Sequence, residues 1–139
     1  EKIRDLVLPA VERRVGELSR ALAAPIGGLD RSECKFRAYS DRGVFGIHTD
    51  RLENRVLTWV YWFHLEPRRF TGGDLLLHDF GASGGFSPYL FTRLRARRNA
   101  LVCFRSETPH QVTETRCDPA DPLAGRFIVH GHLRSATPN

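Results

Sequence analysis

Residues 47–63 read Ile-His-Thr-Asp-Arg-Leu-Glu-Asn-Arg-Val-Leu-Thr-Trp-Val-Tyr-Trp-Phe, and the reading of this stretch decides the fold. Its second half is dense in β-branched and aromatic side chains, which suit a pleated, half-buried surface, so a strand is predicted from Val56 to His64. Thr58, Val60 and Trp62 then share one face, and Trp59 and Tyr61 the other. The first half carries His48 and Asp50 two residues apart, both on one side of an extended chain with Thr49 turned away. Two side chains so placed can grip one ion. A third ligand from a distant strand would complete one face of an octahedron and leave three positions open, the two-histidine, one-carboxylate pattern of non-haem Fe(II). His110 is the natural candidate for it.

Outward from this stretch the texture stays β-rich. Further strands are predicted at Cys34 to Ser40, Val44 to Thr49, Gly73 to His78, Leu101 to Arg105, Gln111 to Thr115 and Arg126 to Leu133. Before them, Ile3, Leu6, Val7, Val11, Val15, Leu18 and Leu22 recur at three- and four-residue steps. They draw an apolar stripe along a helix from about residue 2 to 23, which Pro25, Gly27 and Gly28 stop. One helix behind seven or eight short strands suggests a sandwich or barrel with the helix covering a sheet. The chain is expected to be one domain over 1–139, with 1–28 as helical support and 34–133 as the β-barrel core. Gly81, Ser83, Gly84, Gly85 and Ser87 read as a link after the Gly73 strand, either a lid or a surface loop, the latter preferred. The prolines at 119 and 122 make residues 117–125 an excursion from the rim, because proline removes ladder donors.

Composition narrows the functional classes. Apolar residues at 41% and charged residues at 27% belong to a globular protein and argue against disorder. No apolar run approaches a bilayer span, so no membrane partner is expected and a cytoplasmic location is the reading. Three cysteines, Cys34, Cys103 and Cys117, without CxxC spacing fit reduced thiols better than a disulfide framework or a zinc knuckle. The net charge of +5 favours anionic ligands. Its densest cluster, Arg93, Arg95, Arg97 and Arg98, lacks the interleaved aromatics that stack on single-stranded bases, so it reads as a solvated strand edge and nucleic acid is not expected.

An H-x-D triplet alone is common among exposed residues; the order of parts is what lifts it. Tyr39 is followed by His48-Thr49-Asp50, the run Thr58 to Phe63, Gly72-Gly73-Asp74-Leu75, Asn99 to Phe104, Pro109-His110-Gln111-Val112 and Gly125-Arg126-Phe127-Ile128. From Phe36 to Leu133 this order resembles the Fe(II)/2-oxoglutarate dioxygenases, in their prolyl-hydroxylase-like branch. The resemblance implies a mainly β, double-stranded β-helix fold, a jelly-roll or cupin-like barrel with the iron near one mouth. It implies that His48, Asp50 and His110 bind Fe(II), with 2-oxoglutarate and O2 as co-substrates. It implies too that a basic residue on the strand after the distal histidine pairs with the far carboxylate of 2-oxoglutarate.

Arg126 fits that last role, since a guanidinium grips a carboxylate through two parallel hydrogen bonds. Arg116 is its rival, nearer to His110 but beside the proline-rich excursion. The family often has a tyrosine where this chain has Trp62, and tryptophan is a donor only, so Trp62 either contacts the co-substrate or walls the pocket. Tyr39 matches a family tyrosine near the metal-bound end of the co-substrate. Strand parity puts Ile128, His130 and His132 on the face of Arg126, with Phe127, Val129 and Leu133 opposite. His130 or His132 can therefore touch co-substrate or substrate, or serve as a hydrogen-bonded structural histidine. His64 and His78 match no family role and read as structural.

The expected activity is hydroxylation of an aliphatic carbon, of proline or another amino acid, free or in a peptide. Family members that halogenate lack the metal carboxylate, so Asp50 argues against that outcome. Two other readings stand beside it: a cupin-like module binding a small anion or a partner without catalysis, and a zinc hydrolase using the same three ligands. The hydrolase reading has no evident general base.

Overall fold

The computed structural model describes residues 2–29, 33–52, 54–81 and 83–136. Helix α1 spans Lys2–Ala21. Among the described residues eleven strands follow: β1 Ile26–Leu29, β2 Lys35–Tyr39, β3 Phe45–His48, β4 Arg55–Phe63, β5 Thr71–Gly72, β6 Leu75–Phe80, β7 Phe86–Leu94, β8 Ala100–Arg105, β9 His110–Val112, β10 Thr115–Arg116 and β11 Arg126–Ser135. The major sheet runs β1-β11-β4-β8, with β2 also paired to β11; the minor sheet runs β3-β9-β6-β7; β10 and β5 form a two-stranded ribbon. All pairings are antiparallel. None of the described helices is long and apolar enough to cross a membrane.

Side-chain parity on two strands builds the core. On β4 and β11, Leu57, Trp59, Val129 and Leu133 point to α1 and bury against Val7, Leu8 and Val11. The alternate residues Val60, Trp62 and Ile128 point the other way and pack with Tyr39, Phe70, Leu75, Phe104 and Val112. The second cluster draws on both sheets, so the sheets face each other across it. Burying both faces of the major sheet follows from one helix on the outside and a second sheet on the inside.

Several expectations change. The apolar stripe of α1 uses Leu8, 1% exposed, where Leu6 was expected, because Leu6 at 76% falls on the shoulder of the helix. The glycines after α1 do more than stop it: Ile26–Leu29 pairs with β11, so the barrel core extends beyond 34–133 at both ends. A Cβ on Gly27 would lie 2.5 Å from Ala136 Cα, which is why glycine stands there. After β6 the chain turns at the surface, with Gly84 N–H donating to Gly81 O and Gly84 at φ +81°, in keeping with the preferred surface loop. It leads into β7, a nine-residue strand absent from the predicted set. That strand is exposed along nearly its whole length and so shows no alternation, and it carries Pro88, which an edge strand tolerates. Its Arg93 pairs with Asp74 at 2.7 Å. The expected strand at 111–115 is split into β9 and β10.

Candidate active site

Two adjacent strands bring the three candidate ligands together. His48 ends β3 and His110 opens β9, and the register of that pair sets them directly opposite, with ring centroids 4.2 Å apart. Asp50 lies two residues past His48, its backbone N–H donating to Ser106 O at 2.9 Å. His48 Nε2 is 3.6 Å from Asp50 Oδ1 and His110 Nε2 is 3.4 Å from Asp50 Oδ2. One ligand atom from each residue lies within 4.8 Å of the others. Donors bound at right angles to one ion at 2.0–2.2 Å stand about 3 Å apart, so shifts of up to about an ångström in each side chain suffice. His48 Nδ1 contacts Gly46 O at 2.8 Å and His110 Nδ1 contacts Thr108 O at 2.9 Å. A carbonyl only accepts, so each Nδ1 carries the proton and each Nε2 presents its lone pair to the gap between them. The backbone N–H of His78 donates to Pro109 O at 2.8 Å, which steadies the approach to His110 and gives His78 its structural part.

The electrostatics suit a cation. Burial would raise the Asp50 carboxyl, but His110 and the Thr58 hydroxyl outweigh it and hold the group well below the usual carboxylate range. Burial lowers His48, which favours the neutral imidazole.

These residues stand in the wall of a cavity of about 120 Å³ that also takes in Arg37, Tyr39, Phe45, Thr58, Val60, Leu75, Arg126, Ile128 and His130. Asp50 is its single acidic side chain among the described residues. Arg126 is 1% exposed, and its guanidinium carbon lies 4.8 Å over the Tyr39 ring and 5.7 Å from the Trp62 ring. Burial pulls Arg126 down to about 10, with Tyr39 and Asp74 acting against it, so it is cationic at neutral pH. Its Nε and Nη1 have no hydrogen-bond partner among the described residues, and the same holds for Thr115 Oγ1, Trp62 Nε1 and His130 Nε2. Buried donors left unpaired are costly, and a buried cation more so. An anion in the cavity would supply an acceptor to the unpaired Arg126 donors. Gly73, at φ +67°, makes room for Arg126, since a Cβ there would meet its Cδ at 2.9 Å.

Of the residues singled out in the sequence, Tyr39, Arg126 and His130 line the cavity, whereas Trp62 sits a layer back beside Arg126. Arg116 is exposed and pairs with Glu114. Trp59, completely buried under α1, and Tyr61, whose hydroxyl donates to Asn99 at 2.7 Å, both lie on the far face of β4. His64 contacts Glu66 at 3.4 Å and the Phe70 ring, away from this cavity. A larger groove of about 670 Å³ lies between α1 and β8, but its Arg14 and Glu17 bind each other at 3.0 Å and its Tyr61 and Asn99 at 2.7 Å. Sequence reading missed Arg37, which lies 4.7 Å over the Phe45 ring. Extending the parity of Tyr39 back along β2 would have found it. The hydroxyl contact of Thr58 with Asp50, at 2.8 Å, was missed as well.

His130 offers a test of the cavity's polarity. Burial, with the charges of Arg37 and His132, lowers it from 6.5 to about 4. A depressed folded-state value means that folding favours the neutral ring, so this contribution is complete above about pH 6.5 and is lost as the pH falls towards 4. His130→Gln should therefore flatten the loss of ligand-free stability in that window by up to about 1.4 kcal/mol per pH unit. Urea midpoints at pH 7, 6 and 5 measure it, and parallel curves for the two proteins would show that His130 takes up its proton freely in the fold.

Comparison with known proteins agrees with the geometry. Residues 34–134 match the model of the 2OG-Fe(II) oxygenase superfamily. A Synechocystis protein named as an uncharacterised PKHD-type hydroxylase is 26% identical over 135 residues, 93% of this chain but 45% of that protein, so the chain spans less than half of its curated relative. The crystal structure of a Pseudomonas putida prolyl-4-hydroxylase superposes with a TM-score of 0.65 at 23% identity, over 94% of this chain and 64% of that one. A 2OG-Fe(II) oxygenase family oxidoreductase from Burkholderia pseudomallei gives 0.57 at 15% identity, over 76% of this chain and 43% of that one. Both likenesses show the fold, a β-barrel of facing antiparallel sheets behind an N-terminal helix. With the family model covering most of the chain, this protein belongs to the 2OG-Fe(II) oxygenase superfamily.

Proposed function

We propose that the chain is the oxygenase domain of an Fe(II)- and 2-oxoglutarate-dependent hydroxylase, with His48, Asp50 and His110 as the metal ligands and Arg126 as the anchor for the far carboxylate of 2-oxoglutarate. One observation carries this reading. A buried arginine with unpaired donors shares a cavity with a His-Asp-His cluster, so a cation site and a carboxylate site lie within reach of one small molecule. When bound, iron and 2-oxoglutarate supply the oxidising chemistry: O2 converts 2-oxoglutarate to succinate and CO2 and hydroxylates a substrate C–H bond.

The protein's own residues hold and enclose. Neutral His48 and His110 and ionised Asp50 give two imidazole donors and one charge, leaving the rest of the metal's sphere for co-substrates. Arg126 orients the co-substrate from the far end, Tyr39 lies against the Arg126 guanidinium, and His130 offers a ring nitrogen along the way. Val60, Leu75, Val112 and Ile128 keep water out of the space between. Arg37, held on Phe45 with no ion pair among the described residues, suits an anionic group of the substrate.

Similarity to the Pseudomonas prolyl-4-hydroxylase and to the Synechocystis PKHD-type hydroxylase supports a substrate carbon in proline or another amino acid, free or in a peptide. The test has two stages. Anaerobic Fe(II) and 2-oxoglutarate should together give a weak visible charge-transfer band, because both occupy one site. Succinate release should then rise above background with a compound from a panel of free proline, proline-containing peptides and other amino acids. A folded protein that gives no band with Fe(II) and 2-oxoglutarate would leave a non-catalytic binding module as the better account.

A further inference from the structure

We infer that Thr58, clamped by Ser106 and His132, is a positioning residue that sets the rotamer of the Asp50 carboxylate, an inference that rests on the proposed metal site. Thr58 is 2% exposed, Ser106 1% and His132 6%, so the hydrogen bonds among them form without competition from water. Thr58 Oγ1 donates to Asp50 Oδ2 at 2.8 Å, and it lies 3.1 Å from Ser106 Oγ and 3.2 Å from His132 Nδ1.

Counting protons fixes every direction in this network. A hydroxyl has one proton and two lone pairs, and an ionised carboxylate only accepts. The Thr58 proton is therefore committed to Asp50, and both neighbours must donate to Thr58: Ser106 through its hydroxyl, His132 through Nδ1–H. All three sites of the Thr58 oxygen are then in use, and none is free to turn elsewhere. Ser106 acts twice, since its carbonyl accepts the Asp50 backbone N–H at 2.9 Å while its own N–H donates to Val56 O at 3.0 Å. Main chain and side chain of Asp50 are thus tied to the same short segment between β8 and β9. With Oδ2 bonded to Thr58, Oδ1 is the oxygen without that bond.

The topology explains why these residues meet. Thr58 faces His132 across the β4–β11 ladder and Phe104 across the β4–β8 ladder, so the inner face of β4 carries the clamp from β11 and from Ser106, just past the end of β8, to the residue beyond β3. Neither Ser106 nor His132 lines the cavity, so their effect on a ligand passes through Thr58 and Asp50.

The test is Mn(II) binding to the ligand-free protein, followed by the loss of the free-ion electron paramagnetic resonance signal, with melting curves on the same samples. Groups that hold a metal ligand in place typically account for 10- to 100-fold in metal affinity. Thr58→Val, which keeps the shape and removes the hydroxyl, should weaken Mn(II) binding by about that factor, and Thr58→Ser should restore most of it. His132→Phe, which removes one donor to Thr58 and leaves the hydroxyl, should weaken binding severalfold, and it carries the test if Thr58→Val does not fold. Folded Thr58→Val or His132→Phe that binds Mn(II) like the unmodified protein overturns the clamp while leaving the metal site standing. An unmodified protein that is folded and binds no Mn(II) overturns both.

Discussion

Asp50→Ala should abolish metal binding at micromolar concentrations of Fe(II) or Mn(II) and, with it, succinate formation coupled to substrate. Among the described residues Asp50 is the only acidic side chain in the cavity wall, against Arg37 and Arg126. Its removal leaves two imidazoles and a net positive field facing a dication. Removing one partner of a partly buried charge pair costs about 3–5 kcal/mol, which corresponds to roughly two to four orders of magnitude in affinity. Asp50→Asn separates charge from shape, since the amide oxygen can still accept from Thr58. If the charge is what holds the ion, Asn should fall close to Ala. Calorimetric titration of Mn(II), with melting curves to confirm the fold, measures both variants; undiminished binding by Asp50→Ala would remove Asp50 from the metal site.

What could be read in advance follows from where side chains are forced to alternate. β4 and β11 are packed on both faces, one against α1 and one against the opposing sheet, so their apolar and polar residues had to separate by parity. The inward set Thr58, Val60, Trp62, Arg126, Ile128, His130 and the outward set Leu57, Trp59, Val129, Leu133 were legible for that reason. β7 meets no such demand, because an exposed edge accepts phenylalanine, proline and arginine in any order. β1 was hidden by its glycines, which carry no pattern; the close approach of Ala136 requires the first of them, Gly27. The His48 and Asp50 pair was legible because two-residue spacing on an extended chain is a local fact. The clamp on Asp50 was not, because it depends on which strands are neighbours and in what register, and local spacing carries no such information. The choice between Arg126 and Arg116 rested on a local pattern, and the structure separates them by environment. Arg126 is enclosed with unpaired donors, whereas Arg116 lies in solvent beside Glu114.

That environment also sets the second large effect. Arg126→Met should lose 2-oxoglutarate binding while leaving the ligand-free protein as stable as before, or more stable. A buried guanidinium with Nε and Nη1 unpaired bears a desolvation cost that Tyr39 and Asp74 repay only in part in the ligand-free cavity, and an apolar side chain of similar length does not carry it. In the bound state the balance reverses, because the carboxylate of 2-oxoglutarate would meet methionine and lose a buried, charge-assisted pair. The penalty for leaving such a carboxylate unpartnered, again about 3–5 kcal/mol, amounts to roughly two to four orders of magnitude in affinity. Mn(II) binding without 2-oxoglutarate should change little, since Arg126 is not one of the three clustered donors. Three measurements on one variant therefore point in different directions: melting temperature level or up, Mn(II) affinity level, 2-oxoglutarate affinity lost. A residue that merely filled the core would lower the first and spare the third. If Arg126→Met binds 2-oxoglutarate as the unmodified protein does, the carboxylate anchor lies elsewhere and the unpaired donors of Arg126 need another explanation.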